Sequence, residues 1–224
     1  MTWQMDEYAL ERGLMVDRQI ALRGISDQRV LDAMRKVPRH HFVPVNMAAY
    51  AYEDCPLSIG QGQTISQPYI VALMTEMLGL HGGEKVLEVG TGSGYQAAIL
   101  CEVAESVYSI ERHPTLADAA RERLEKAGYT NFSITSGDGT LGWQEFSPFD
   151  AILVTAAAPH VPQTLLDQLA DGGRLVIPVG ERFVQTLQTW TRKEDDFSMA
   201  ENIRVVFVPL IGAQGWRDEW DRDR

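Results

Sequence analysis

Apolar residues recur at helical spacing from the start of the chain. Met5, Tyr8, Ala9, Leu14, Met15, Val16 and Ile20 predict a helix over residues 5–24. Ser26-Asp27-Gln28-Arg29 opens a second helix that runs to about Val37, with Ser26 as its N-cap. Pro38 and Pro44 bracket a loop that carries His40 and His41. Residues 46–68 have little periodicity and contain Pro56, Gly60, Gly62 and Pro68, the pattern of a structured loop or lid. Helical spacing returns from Tyr69 to Leu80.

From there the pattern alternates between short apolar runs and amphipathic segments. Strands are predicted at Val86–Gly90, Ser106–Glu111, Phe132–Ser136, Phe149–Ala156 and Gly173–Val179. Helices fall between them at Tyr95–Glu105, at about Thr115–Gly128 and around Pro162–Ala170. Thr186–Arg192 and Arg204–Leu210 read as two further strands with no helix between them, closing the sheet as a hairpin-like pair. The expectation is an α/β fold with a doubly wound, mostly parallel, seven-stranded sheet. It forms a single domain over 1–224, with N-terminal helices and a lid loop in 1–80, a Rossmann-like core in 81–210 and a C-terminal tail in 211–224. The charged residues after Trp216 are expected to fray.

Composition narrows the partners. The 224 residues suffice for one well-cored domain, and the net charge of −11 comes with scattered Lys and Arg. A phosphate-binding surface needs clustered cations, so nucleic acid is not the expected substrate. Cys55 and Cys101 lie in no metal or redox spacing and read as free thiols of a reducing compartment. No apolar leader and no membrane-length run is visible, so the cytoplasm is the expected location. No metal site is expected, and a monomer is.

The most informative segment is Glu84-Lys-Val-Leu-Glu-Val-Gly-Thr-Gly-Ser-Gly-Tyr-Gln96, with Gly90, Gly92 and Gly94 at a strand-to-helix turn. Such a turn leaves backbone N–H groups free for a ligand, although tight turns also serve packing alone. A dinucleotide fingerprint needs a small sixth residue, and here Tyr95 stands in that place. The less anionic S-adenosylmethionine fits better than a pyrophosphate. Glu88 ends strand one, and Glu111 ends strand two, 21 residues after Gly90, where a carboxylate can accept ribose hydroxyls. Asp138, between Gly137 and Gly139, follows strand three and is either an acceptor for an adenine amino group or an ordinary turn aspartate. Thr155-Ala156-Ala157-Ala158-Pro159 ends strand four with small residues that leave room for a ligand.

Together these features resemble the class I S-adenosylmethionine-dependent methyltransferases, a resemblance that implies a sheet order of 3-2-1-4-5-7-6 with strand seven antiparallel. The segment after strand four offers no carbonyl cluster for an amine acceptor, and Cys55-Pro56 reverses the order used in cytosine carbon methylation. Ile59-Gly60-Gln61-Gly62-Gln63-Thr64-Ile65-Ser66-Gln67-Pro68-Tyr69 resembles the protein-L-isoaspartate (D-aspartate) O-methyltransferases. So do Val16–Ile20, Pro38-Arg39 through Phe42-Val43-Pro44, Asp150–Pro159 and Phe207–Leu210, and the similarity covers roughly residues 13–216.

That resemblance implies methyl transfer from S-adenosylmethionine to the free carboxylate of L-isoaspartyl and D-aspartyl residues in damaged proteins, with S-adenosyl-L-homocysteine as product. It implies that Ser66 is the active-site residue and that Gln63, Thr64 and Ile65 lie over the cofactor. Its further cofactor contacts fall on Gly90, Glu111, Arg112, Asp138 and Gly139, beside Glu88, Gly92 and Gly94 of the turn, with C-terminal contacts near Ile211 and Gln214. Ile59, Val208, Pro209 and Leu210 are the expected substrate groove, which would hold extended backbone.

Ser66 also fits an N-cap of the helix near Pro68–Tyr69, and both roles are compatible. His40, His41 and His160 read as surface or packed histidines rather than bases. Two other readings stay open on the sequence alone: a methyltransferase for a small-molecule carboxylate, and a non-enzymatic S-adenosylmethionine-binding module.

Overall fold

In the computed structural model, which describes residues 7–217, a seven-stranded sheet is flanked by helices and capped by a small hairpin. Met5 and the charged run beyond Arg217 lie outside the described residues.

The first helical segment is continuous but uneven. Helix α1 (Ala9–Leu14) passes into a π turn at Met15–Ile20 and a tighter 3-10 turn at Ala21–Arg23. The wider i→i+5 turn brings Met15 and Ile20, five residues apart, onto one buried side. Helix α2 spans Gln28–Lys36, and its N-cap is Asp27 rather than Ser26. The Asp27 carboxylate accepts from the Arg29 N–H at 2.8 Å, while the Ser26 N–H is held by Glu76.

The expected irregular stretch contains regular structure. Strands β1 (Leu57–Gly60) and β2 (Gln63–Ile65) pair antiparallel as a separate two-stranded sheet. Gln61 and Gly62 join them with φ of 53° and 69°, the double positive φ of a tight primed turn. Helix α3 follows at Pro68–Leu78.

The core then runs β3 (Lys85–Val89), α4 (Tyr95–Val103), β4 (Ser106–Glu111), α5 (Pro114–Lys126), β5 (Phe132–Ser136), β6 (Phe149–Val154), α6 (Gln163–Asp167), β7 (Leu169–Glu181), β8 (Val184–Lys193) and β9 (Asp196–Val205). Successive side chains of the central strands enter opposite cores. Val86, Val107 and Leu153 pack with the N-terminal helical layer, whereas Leu87, Ile110 and Ile152 pack on the other face with Leu165 and Leu166 of α6. Burial on both faces is why these strands read as mainly apolar segments with no strict alternation.

The sheet order is β5-β4-β3-β6-β7-β8-β9. In core numbering this is 3-2-1-4-5-6-7, so the order implied by the resemblance is corrected at its end. Strand six is antiparallel to both neighbours. Only Arg182 and Phe183 separate β7 from β8, and so short a link forces adjacent antiparallel strands.

Two boundaries also move. α6 is short, because the chain re-enters the sheet at Leu169 and crosses a register irregularity at Gly172-Gly173. The last strand is Asp196–Val205, not Arg204–Leu210. Val208–Leu210 leave the sheet edge and lie against Ala157, whose N–H donates to Val208 and whose carbonyl accepts from Leu210, both at 2.8 Å. Pro209, without an N–H, suits this irregular path. Ile211–Trp216 then folds back on the core, with the Trp216 N–H bonded to the Leu210 carbonyl.

Candidate active site

Three connected hollows open at the carboxyl ends of β3, β4 and β6, where ligands of doubly wound sheets bind. The first is a cleft of about 640 Å³ between the β1–β2 hairpin and the segment 204–208. The second is a narrow groove past Gly90, Gly92, Glu111, Arg112 and Gly139 to Pro209–Ile211. The third is a niche between Ser66, Thr91, Ser93 and Gln96. Thr64 and Thr155 line all three, so the hollows meet at these two hydroxyls.

The glycine turn follows from the position of β3. The strand is buried and must turn at once into α4, and Gly90 takes φ of 102° to do so. A side chain is excluded there twice over, since a Cβ at Gly90 would overlap the Thr155 hydroxyl. The Thr155 Oγ1 donates to the carbonyls of Val89 (3.0 Å) and Gly90 (2.7 Å). Tyr95 is buried in the N-terminal layer, its ring 5.6 Å from that of Phe42 and its hydroxyl donating to Met34 Sδ.

Glu111 is 5% exposed and stands at the groove wall. Its Oε2 accepts from the Gly92 N–H at 2.8 Å and its Oε1 from the His113 N–H at 2.9 Å. These bonds fix the carboxylate against the glycine turn while each oxygen keeps lone-pair capacity for a ligand hydroxyl. Ile110, Leu210 and Ile211 line the same groove. An acceptor for a diol beside apolar walls for a flat base is an arrangement that fits an adenosine. The groove lacks the row of cations a pyrophosphate would need.

The hairpin lies over this turn, since a Cβ on Gly92 would touch Ile59 Cδ1 at 3.4 Å. Gln63 reaches the groove, Ile65 the niche, and Ser66 both the niche and the large cleft. The N-cap of α3 is Gln67 and uses no side-chain cap bond, so the capping role expected for Ser66 is not the one it takes. Its hydroxyl is left facing the cavity.

Several expected site residues stand elsewhere. Glu88 lines none of the three hollows; it is wholly buried and accepts from the Ser109 hydroxyl, which in turn meets Thr91 Oγ1 at 2.5 Å. Burial pushes its carboxyl up to about 8, against the bond from Ser109 and with the nearby Glu111 charge adding to the rise. Gly94 caps α4 and packs on Ala120. Asp138 sits behind Gly139, where its carboxylate accepts from the Thr140 N–H and hydroxyl and from the Ala213 N–H at 2.7 Å. It ties the C-terminal loop to the sheet instead of lining the groove. Pro209 and Leu210 line the groove rather than the large cleft, Val208 lines both, and Ile59 packs on the turn. Ile211 reaches the groove, whereas Gln214 is engaged with Thr140 and Thr164.

Sequence reasoning placed Thr155 only among the small residues that leave room for a ligand, not as a wall of every hollow, and missed His113 beside Glu111 and Arg204 and Gln67 in the large cleft. Thr155 had a local signal, a hydroxyl at the end of a buried strand; the others had none. Among the described residues, no group of three or more His, Cys, Asp or Glu is placed to hold a metal, and no helix is long and apolar enough to cross a membrane.

Residues 11–215 match a family model described as Protein-L-isoaspartate(D-aspartate) O-methyltransferase. A Protein-L-isoaspartate O-methyltransferase of Methanoculleus marisnigri is 55% identical over 96% of this chain and 98% of its own. That of Geobacter metallireducens is 56% identical over 95% and 99%. Among solved structures, one named protein-L-isoaspartate O-methyltransferase superposes with a TM-score of 0.82 at 30% identity, over 96% of this chain and 69% of that one. A Plasmodium falciparum protein carrying the same name, crystallised with S-adenosyl-L-homocysteine, gives a TM-score of 0.78 at 28% identity over 89% and 98%.

Proposed function

The chain belongs to the protein-L-isoaspartate(D-aspartate) O-methyltransferase family, and from that premise we propose how its site works. The enzyme is a repair methyltransferase that esterifies the free carboxylate of L-isoaspartyl and D-aspartyl residues in damaged proteins and peptides. S-adenosylmethionine, when bound, supplies a methyl group on a sulfonium centre. The observation that carries this reading is the meeting of the large cleft with the glycine-rich niche at Thr64, Ser66 and Thr155.

Glu111 accepts the ribose hydroxyls, and Gly90, Gly92 and Gly139 let the cofactor approach the backbone. Gln63, Thr64 and Ile65 cover it from the hairpin. The acceptor comes in through the large cleft. Its carboxylate, with an ordinary pKa near 4, is already the nucleophile at neutral pH, so no general base is needed. Ser66 donates one hydrogen bond that aims a carboxylate oxygen. What remains is to hold the reacting atoms roughly 3 Å apart and in line. Opposite charges cancel as the new bond forms, so a site covered by the hairpin favours the reaction over an open one. His40 stays outside this scheme, packed against the Tyr52 hydroxyl at 2.7 Å. The net charge of −11 argues against a nucleic-acid substrate, and a cytoplasmic monomer is the simplest form of the working enzyme.

The test uses labelled S-adenosylmethionine and two peptides identical except for Asp or isoAsp at one position. Base-labile label on the isoAsp peptide alone is expected. Equal labelling of both, or labelling of neither, overturns the reading.

A further inference from the structure

The large cleft holds more than one side chain. About 640 Å³ lies within the roughly 300–1,000 Å³ of drug-sized ligand sites. Residues flanking the acceptor must therefore enter it too. Its walls are mostly apolar or neutral: Pro56, Ile70, Val184, Val206 and Phe207, with the hydroxyls near Ser66 at the inner end. The only charged residue among them is Arg204.

Arg204 projects from β9, the outermost strand of the sheet, opposite Thr186 of β8. Among the described residues, its guanidinium has no ion pair or side-chain hydrogen bond. A chain with 31 acidic and 20 basic residues thus leaves one uncompensated cation facing the cleft. Around it the rim is apolar, with Val206 74% and Val184 52% exposed. The other polar groups that line the cleft, Gln67 and the hydroxyls of Thr64, Ser66 and Thr155, are neutral.

We infer that Arg204 is a specificity determinant that selects acceptor peptides carrying a carboxylate close to the isoaspartyl residue. This rests on the acceptor reading above. The ligand is an acidic side chain or a free α-carboxylate, the groups a guanidinium fork binds in two parallel hydrogen bonds. Arg204 is exposed to solvent, so the preference is modest and salt-sensitive, about five-fold at low ionic strength.

The test measures KM for isoAsp peptides with Glu or Lys placed in turn at each of three positions on either side of the isoAsp. The reading is the ratio of the Lys to the Glu KM within each protein. In the unaltered enzyme that ratio is about five at one or more positions, and it falls as salt is added. Arg204→Gln brings it near one, and Arg204→Glu inverts it. A ratio of one at every position in the unaltered enzyme overturns the inference, as does a ratio that survives in Arg204→Gln. Methylation without charge order removes this inference alone. No methylation of any isoAsp peptide removes it together with the acceptor reading.

Discussion

The hydroxyl of Thr155 donates to the carbonyl of Gly90 at 2.7 Å across 65 positions of sequence. It also reaches the Val89 carbonyl at 3.0 Å, so one side chain satisfies the backbone where β3 turns toward α4. The end of β6 thereby fixes the shape of the glycine turn, and the three hollows meet on the same threonine.

Gly90→Ala forces a side chain into left-handed backbone and into Thr155. It is expected to cost about 1–3 kcal/mol of stability and to abolish measurable S-adenosyl-L-homocysteine binding. Thermal unfolding and titration calorimetry read both. Thr155→Ala in the same chain removes the clash but not the positive φ, so the double variant should recover only part of the loss. Full recovery would show that φ is not strained there.

Glu111→Ala leaves the Gly92 and His113 N–H groups without their acceptor and removes the proposed ribose partner. Cofactor affinity is expected to fall about 10–100-fold, the effect of roughly 1–3 kcal/mol. Unchanged affinity by calorimetry would remove Glu111 from the site.

Ser66→Ala deletes the proposed donor to the acceptor carboxylate and nothing that α3 needs for capping. The turnover rate is expected to drop about 10–100-fold, with S-adenosyl-L-homocysteine affinity within about two-fold of the unaltered enzyme. A loss of cofactor affinity equal to the loss of rate would reassign the residue to cofactor binding.

Glu88 makes stability depend on pH. Its carboxyl is raised from an ordinary 4.5 to about 8 in the folded chain, chiefly by burial. Between those values the folded chain keeps a proton that the unfolded chain releases. Stability therefore falls as pH rises through the window, by up to about 1.4 kcal/mol per unit, and levels off above about pH 8. Glu88→Gln imitates the protonated form and should lose this slope. Urea unfolding at pH 5, 6.5 and 8 compares the two proteins. Parallel curves would mean that Glu88 is ionised in the fold throughout.

The central strands were legible because both of their faces are buried. Ile152–Val154 is an unbroken apolar run, Val86–Val89 is apolar but for the buried Glu88, and the glycines at 90, 92 and 94 mark where that strand ends. β9 was not legible. Its residues from Ser198 to Asn202 are exposed, so no alternation marks it, and the apolar run Val205–Leu210 drew the expected strand one element too far. The hairpin over Leu57–Ile65 escaped notice for a related reason, because it is short and only one end of each strand is buried.

The same divide runs through the site. Glu111 was readable from its spacing to Gly90, because a strand-end carboxylate beside a glycine turn has one geometry in this fold. Asp138 looked equivalent in sequence, yet its carboxylate is engaged by Thr140 and Ala213. Arg204 carried no local signal, since a lone arginine at the head of an apolar run resembles any solvated charge at a strand end.

By itself, the sequence determined the alternation of strands and helices and the glycine turn. These depend on periodicity and on local backbone demands, which are written within a few residues of each other. Tertiary structure alone decided that strand six lies beside strand five, that Thr155 closes on Gly90, that Glu88 is buried away from the hollows and that Arg204 faces the cleft. Each of these depends on which distant segments the shared core brings within reach, and burial and pairing across such distances leave no mark in the local pattern.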